Sequence, residues 1–322
     1  MKFVTYEFAR QTRVGVVEGD FIIDVQVALE YFSRGRVENP KTAKAVATLR
    51  KAGPPPADMI DLLGRGKKYW AALGVVTKVL AGSRAEKKRI KNLYTPFASA
   101  RLRAPVLRPG KIVCVGLNYA EHAREQGIEP PSFPTLFVKT VNTISGPGAR
   151  IVMPPNSTQV DYEAEFAVVI GKGGRRIQED RAYDHVAGYM NLNDVTARDM
   201  QHGDKQWFRG KSCDTFAPTG PWILTADEVA DPHNLRISLT LNGQTMQDSN
   251  TSDLIHKIPF LISYLSQSLT WETGDILTTG TPSGVGVFRK PPIFLNAGDT
   301  VSATVEGLGT LTNIVAGPSA KL

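Results

Sequence analysis

Cysteine is almost absent from this 322-residue chain: Cys114 and Cys213 are the only two, and neither has a CxxC partner. That excludes a disulfide framework and a thiolate zinc site, and both read as ordinary thiols of a reducing compartment. Long apolar runs are missing as well. Hydrophobic residues make up 42% of the chain, yet no window approaches the roughly 18 uninterrupted apolar residues that a membrane helix needs. The opening MKFVTYEFARQTRVG carries charge from its second residue and never builds an apolar block before a cleavage site. It does not read as a signal peptide, so the expected compartment is the cytoplasm and no membrane partner is expected. Glycine is plentiful but not in phosphate-binding order. Gly171-Lys172-Gly173-Gly174 lacks the G-x-G-x-x-G spacing, no Gly-Lys-Ser/Thr closes a Walker loop, and strict strand–helix alternation is missing, which disfavours a dinucleotide or P-loop fold. No internal repeat is found at periods of about 20 to 50 residues.

What remains is a globular chain long enough for about two domains, with too much apolar content for disorder. Period-two alternation in Phe3 to Phe8, Val14 to Val17 and Phe21 to Val25, with a Glu18-Gly19-Asp20 turn, predicts a small β-meander. Short helices are predicted over Gln26 to Phe32, Asp58 to Leu63 and Tyr69 to Leu80, the first two separated by a polar stretch ending in Pro54-Pro55-Pro56. Two prolines in 102–110 mark a junction, giving a small N-terminal α+β domain over 1–105 and a larger one over 106–322. In the larger part, strand patterns recur at Ile112 to Val115, Leu136 to Lys139, Glu163 to Ile170, Leu235 to Leu241, Asp275 to Thr279 and Thr300 to Val305. Helical patterns are confined to Arg181 to Gly188 and Ile255 to Gln267. The class is α+β and β-rich.

The net charge is +7. It is not evenly spread: between Arg65 and Lys111 there are thirteen Lys or Arg and one acid, Glu86, so the rest of the chain is net acidic. The strip 65–111 could be an anionic-surface or nucleic-acid module, but it has few interleaved aromatics (Tyr69, Trp70, Tyr94) and no binding motif, so nucleic acid is not the expected partner.

Within Asp161-Tyr162-Glu163-Ala164-Glu165-Phe166, a strand puts Glu163 and Glu165 on one face, because positions i and i+2 project together. Two adjacent carboxylates at the inward end of an apolar strand repel and call for a cation. Otherwise they are a solvated strand end. Asp194, in Asn193-Asp194-Val195, could complete a three-carboxylate site, or cap a turn. Oxygen ligands with no Cys or His point to Mg²⁺ or Mn²⁺, with Ca²⁺ as a lesser alternative.

Five histidines are present. His122 follows the strand-like Ile112 to Val115, and on a helix it would share a face with Glu125 at i+3, a pairing that suits a general base. A surface ion pair is the plain alternative. His202 and His233 read as loop and turn residues. Lys211 sits among small neighbours, Gly210 and Ser212, in what reads as a loop that could aim an ammonium at an anion. The run Thr278 to Gly286, rich in Gly and hydroxyls, offers backbone N–H groups and a threonine hydroxyl to a carboxylate.

In order, GLNYAEHAREQG (116–127), DYEAEFAVVIGKGGRRI (161–177), YDHVAGYMNLNDVTARDMQ (183–201), FRGKSCDTFAPTGPW (208–222), LNGQTMQDSNTSDLIHKIPFLISYLSQ (241–267) and GDILTTGTPSGVG (274–286) resemble the fumarylacetoacetate hydrolase family. The resemblance covers nearly all of 110–317, and the first hundred residues look like the extra domain of longer bacterial members. It implies a mixed β-roll catalytic domain, usually dimeric through that domain, so a homodimer is expected. It implies Mg²⁺ or Mn²⁺ on Glu163, Glu165 and Asp194, and a His122–Glu125 dyad on a lid that orders with substrate. It further implies that Arg198, Gln201, Lys211 and Thr281 face a small 2-oxo or 2,4-dioxo acid. The implied reaction is hydrolysis of a C–C bond in an acylpyruvate or fumarylacetoacetate-like acid. His122, supported by Glu125, would activate water, Lys211 would stabilise the oxyanion, and a pyruvate enolate would leave. Oxaloacetate-type decarboxylation and hydroxymuconate-type isomerisation use the same enolate logic, and hydrolysis is placed first because both dyad residues are present.

Overall fold

A computed structural model describes residues 1–34, 37–83 and 90–320. Arg84, Glu86, Lys87, Lys88 and Arg89 of the basic strip therefore lie outside the described residues.

The expected meander forms: β1 (Lys2–Phe8), β2 (Gln11–Glu18) and β3 (Phe21–Asp24) pair antiparallel in sequence. Among the described residues four helices follow: α1 (Val25–Arg34), α2 (Pro40–Lys51), α3 (Met59–Gly64) and α4 (Gly66–Gly82). α2 falls in the stretch read as merely polar. Its signals were local: the Asn39 side chain accepts from Thr42 N at 3.1 Å, Pro40 stands in the first turn, and Thr42, Ala45, Val46 and Leu49 form a buried stripe. β4 (Tyr94–Pro96) and β5 (Arg101–Leu102) then return to β3 and β1.

The remaining chain adds β6 (Ile112–Gly116), helix α5 (Ala120–Glu125), β7 (Thr135–Lys139), β8 (Ile144–Ser145) and β9 (Arg150–Val152). Next come β10 (Val160–Asp161), β11 (Ala164–Ile170), β12 (Val186–Asn193) and β13 (Thr196–Ala197). Helices α6 (Arg198–Gly203) and α7 (Trp207–Lys211) lead to β14 (Ala217–Thr225), then β15 (Arg236–Leu241) and β16 (Gln244–Asn250). Helix α8 (Ile258–Ser266) precedes β17 (Ile276–Thr278), β18 (Thr300–Val305) and β19 (Thr310–Ala316). The helix expected over Arg181 to Gly188 is a 3₁₀ segment, Glu179–His185, that ends where β12 begins.

These strands build a 12-stranded sheet in the order β4-β3-β2-β1-β14-β12-β11-β17-β6-β7, with β5 on β1 and β8 on β14. A 5-stranded sheet runs β16-β15-β18-β19-β9, and β10 pairs with β13. Among the described residues no barrel closes, and the fold is α+β and β-rich. No helix among the described residues is long and apolar enough to cross a membrane. β14 lies mid-sheet although it carries Pro218 and Pro221, which argue against an interior strand. The register of β12 on β14 shifts between Tyr189 and Asn191, and Gly220 adopts φ +126°, so the strand bulges where its ladder N–H is missing.

β11 is buried along its whole length because each face meets a different core. Phe166, Val168 and Ile170 pack with Ile237, Leu239, Val301 and Ala303 of the smaller sheet. Ala167 and Val169 pack with Leu62, Leu63, Trp70, Leu73 and Val76 of the helical layer. Near-continuous burial of this kind reads in sequence as an unbroken apolar run rather than alternation. The two sheets are also pinned by Asn191, which is fully buried. Its Nδ2 donates to Gly220 O at 3.1 Å and Gly309 O at 3.0 Å, and its Oδ1 accepts from Val305 N at 2.7 Å. Asn191→Ala leaves those groups dry and unpaired, so it should lower stability by about 3 kcal/mol, read as a fall in the urea midpoint. An unchanged midpoint would show that this amide does not couple the sheets.

Candidate metal centre and active site

Strand directions gather the carboxylates at one end of two interior strands of the large sheet. β12 runs antiparallel to β11 with Ala164 opposite Asn193, so Glu163 and Glu165 at the start of β11 meet Asp194 just beyond β12. Asn193 Oδ1 fixes this corner by accepting from Glu163 N at 3.0 Å, and Asp194 N donates to Glu163 O at 2.9 Å. Glu163, Glu165 and Asp194 are all buried, and each offers an oxygen within 4.8 Å of the others'.

Three buried cations answer most of this charge. Lys211 Nζ donates to Glu163 Oε2 at 2.7 Å and Asp194 Oδ2 at 2.6 Å. Lys139 Nζ lies 2.5 Å from Asp194 Oδ1 and donates to Val195 O at 3.1 Å. Arg198 Nη2 lies 2.7 Å from Glu163 Oε1 and 2.8 Å from Asp161 Oδ2, and its Nε donates to the same Asp161 oxygen at 2.8 Å. Lys211 closes helix α7 rather than sitting in the expected loop, and its side chain is buried against Phe137.

The two glutamates are consequently unequal. Burial raises Glu163, but the Lys211 ammonium and Arg198 guanidinium outweigh it and hold the carboxyl at about 2. Burial, reinforced by the Asp194 and Glu163 charges, pushes Glu165 well above the ordinary glutamate value. Glu165 receives the Gly280 N–H at 3.3 Å and, among the described residues, no ion pair. The donor set is thus three carboxylates with no soft ligand and one uncompensated negative charge, which fits a hard divalent cation.

His122 and Glu125 do fall on one helix, α5. Nδ1 of His122 is 3.1 Å from Glu125 Oε2, and Gln126 Nε2 is 3.0 Å from His122 Nε2. Those partners place the ring proton on Nδ1 and leave Nε2 as the acceptor. His122, Arg198, Gln201, Lys211 and Thr281 line one cavity of about 80 Å³ with Glu163, Glu165, Phe137, Trp207 and Phe288. Asp194 stands behind Lys211, and Glu125 behind His122. His202 belongs to α6 and also lines this cavity, whereas His233 lies elsewhere and accepts Ile258 N at 3.2 Å.

The 278–286 loop departs from expectation. Its N–H groups meet carboxylates, but those of the protein itself: Gly280 N meets Glu165, Gly284 N donates to Glu125 Oε1 at 3.1 Å, and Gly286 N to Asp161 Oδ1 at 2.8 Å. At Gly286 a Cβ would come within 1.9 Å of Ile293 O, so only glycine lets the loop reach Asp161. Sequence reading missed Lys139, Gln126, Asp161 as the anchor of Arg198, and Gln247. A lysine ending the apolar strand Leu136 to Lys139 was the one available signal.

A family model described as fumarylacetoacetate (FAA) hydrolase C-terminal matches residues 111–316. A Bos taurus protein named oxaloacetate tautomerase FAHD2A, mitochondrial, is 47% identical over 262 residues, 81% of this chain and 80% of that one. Among solved structures, 2-hydroxyhepta-2,4-diene-1,7-dioate isomerase from Mycobacterium marinum is similar with TM-score 0.70 and 30% identity, covering 99% of this chain and 100% of the other. Maleylpyruvate hydrolase from Sphingobium is similar with TM-score 0.73 and 30% identity, covering 98% of this chain and 100% of the other.

Because the folded state holds the Glu165 proton more tightly than the unfolded chain, its ionisation costs stability as pH rises above the ordinary value of 4.5. In EDTA, Glu165→Gln should therefore raise the urea midpoint at pH 8, with an advantage that shrinks towards pH 4.5. A parent protein that outlasts the variant at pH 8 would mean Glu165 is not strained.

Proposed function

The chain belongs to the fumarylacetoacetate hydrolase family, and we propose that it is a divalent-metal enzyme of short 2-oxo diacids that moves a proton between the enol and keto forms of an oxaloacetate-like substrate. One observation carries this reading. An uncompensated buried carboxylate, Glu165, shares a small cleft with cations on one wall and an oriented imidazole on the other.

Glu163, Glu165 and Asp194 would hold Mg²⁺ or Mn²⁺, which supplies Lewis-acid stabilisation of enolate charge when bound. The chain's own residues do the rest. Arg198 and Gln201, whose Oε1 accepts from Arg198 Nη1 at 3.1 Å, line the cleft and suit a substrate carboxylate. Lys211 holds a positive charge at the reacting end, because Asp194 and Glu163 raise its proton affinity despite burial. His122 Nε2 accepts the proton leaving C3 or the enol oxygen and returns it, while Glu125 keeps Nδ1 protonated. Phe137, Trp207 and Phe288 restrict water at the reacting atoms.

Hydrolysis of a 2,4-dioxo acid is the second reading, favoured by the assembled His122–Glu125 pair, which could equally activate water. Tautomerisation is put first because the 47%-identical relative bears that activity in its name and the cavity, about 80 Å³, suits a short acid. A homodimer remains part of the proposal.

The test follows enol-oxaloacetate loss and acetylpyruvate cleavage side by side. With Mg²⁺ or Mn²⁺ the enzyme should accelerate ketonisation, EDTA should abolish the effect, and His122→Gln should cut kcat by about 10² to 10⁴. Activity that survives both EDTA and Glu163→Ala would sink the metal centre. Faster turnover of acetylpyruvate would put hydrolysis first.

A further inference from the structure

Behind Thr281 lies a fully buried glutamine that none of the chemistry above uses. Gln247, on β16 of the smaller sheet, is 1% exposed, and all three of its hydrogen bonds are internal. Its Oε1 accepts from Ala164 N at 2.8 Å, and its Nε2 donates to Pro282 O at 2.8 Å and Thr281 Oγ1 at 2.8 Å. The amide cannot be turned over. A backbone N–H only donates and a carbonyl only accepts, so Ala164 and Pro282 fix which end is which. Ala164 is the residue between the two glutamates of the metal centre, and Thr281 lines the cleft with Arg198, Gln201 and Lys211.

The polarity of the last bond matters. Thr281 Oγ1 accepts a hydrogen bond from the Gln247 amide N–H, so its own O–H is free to donate elsewhere, and among the described residues no acceptor takes it. We propose that Gln247 is a positioning residue which holds the Thr281 hydroxyl as a donor aimed at an anionic oxygen of the substrate, in register with the carboxylates of β11. This rests on the reading above that Thr281 faces the substrate. A single amide thereby sets both the height of the metal strand and the direction of a substrate hydrogen bond, linking the smaller sheet to specificity for an acid.

The experiment is a double-mutant cycle of Gln247→Met and Thr281→Val in the Mn²⁺-loaded enzyme. It reads KM for enol-oxaloacetate and, independently of turnover, the Kd of oxalate, whose paired carboxyl oxygens mimic a 2-oxo acid. Thr281→Val should weaken both about tenfold and Gln247→Met by a comparable factor, with kcat within about twofold. In the Thr281→Val background, Gln247→Met should add little, while Thr281→Ser keeps the full Gln247 effect. If Gln247→Met is too unstable to purify, Gln247→Glu enters the same cycle, and any effect of its charge alone cancels between backgrounds. Independent, multiplicative losses would overturn the proposal, as would a Gln247 effect confined to thermal midpoint or Mn²⁺ affinity. Thr281→Val with unchanged KM and oxalate affinity would instead overturn the placement of Thr281 at the substrate, and the proposal with it.

Discussion

Burying several like charges in one corner of a core is the constraint on which the rest of this structure turns. Asp161, Glu163, Glu165 and Asp194 are nearly or wholly removed from water. Each such ion costs several kcal/mol unless it is paired. Lys139, Arg198 and Lys211 meet three of the four, and every one of those cations must itself be buried to do so. Much of the surrounding architecture follows. Helix α7 ends at Lys211, the β12 end is pinned by Asn193, and a glycine-rich loop approaches closely enough to give N–H groups to Glu165, the acid left over, and to Asp161.

The pairing leaves one charge deliberately short. Because Lys211 bridges Glu163 and Asp194 while Glu165 has no ion pair among the described residues, the protein is close to neutral at the site without being complete. The helix α5 side is arranged on the same logic at smaller scale. Glu125 accepts a hydrogen bond from Nδ1–H of His122 and is itself held by the Gly284 N–H, so the orientation of the imidazole is fixed by a chain of contacts that ends in the loop flanking the carboxylates. His122 and the carboxylate cluster therefore share one backbone support.

Much of this was legible in sequence, for identifiable reasons. Glu163, Glu165 and Asp194 stood at the ends of apolar runs, where a carboxylate is conspicuous, and the His122–Glu125 spacing is a helical one. The meander and β6, β15 and β18 followed from short-range alternation between turn residues. What escaped depended on distance or on conflict between signals. Lys139 reaches Asp194 across 55 positions, and Gln247 reaches Thr281 across 34, so neither leaves a local pattern. α2 was masked by its polar outer face, β14 by prolines that a bulge accommodates, and the 3₁₀ turn before β12 by its resemblance to the start of a longer helix.

The two-faced burial of β11 has a consequence for how this chain can diverge. Its odd and even side chains are gripped by separate cores, one helical and one β, while its first residues carry the ligand geometry. A strand held on both sides cannot tilt towards one without opening a void in the other. The helical layer of the first hundred residues, remote from any reacting atom, is thus a ruler against which the carboxylates are set. A void opened at Leu62, Trp70 or Leu73 would lie directly against Ala167 and Val169, so a change in the helical layer reaches Glu163 and Glu165 through the strand itself.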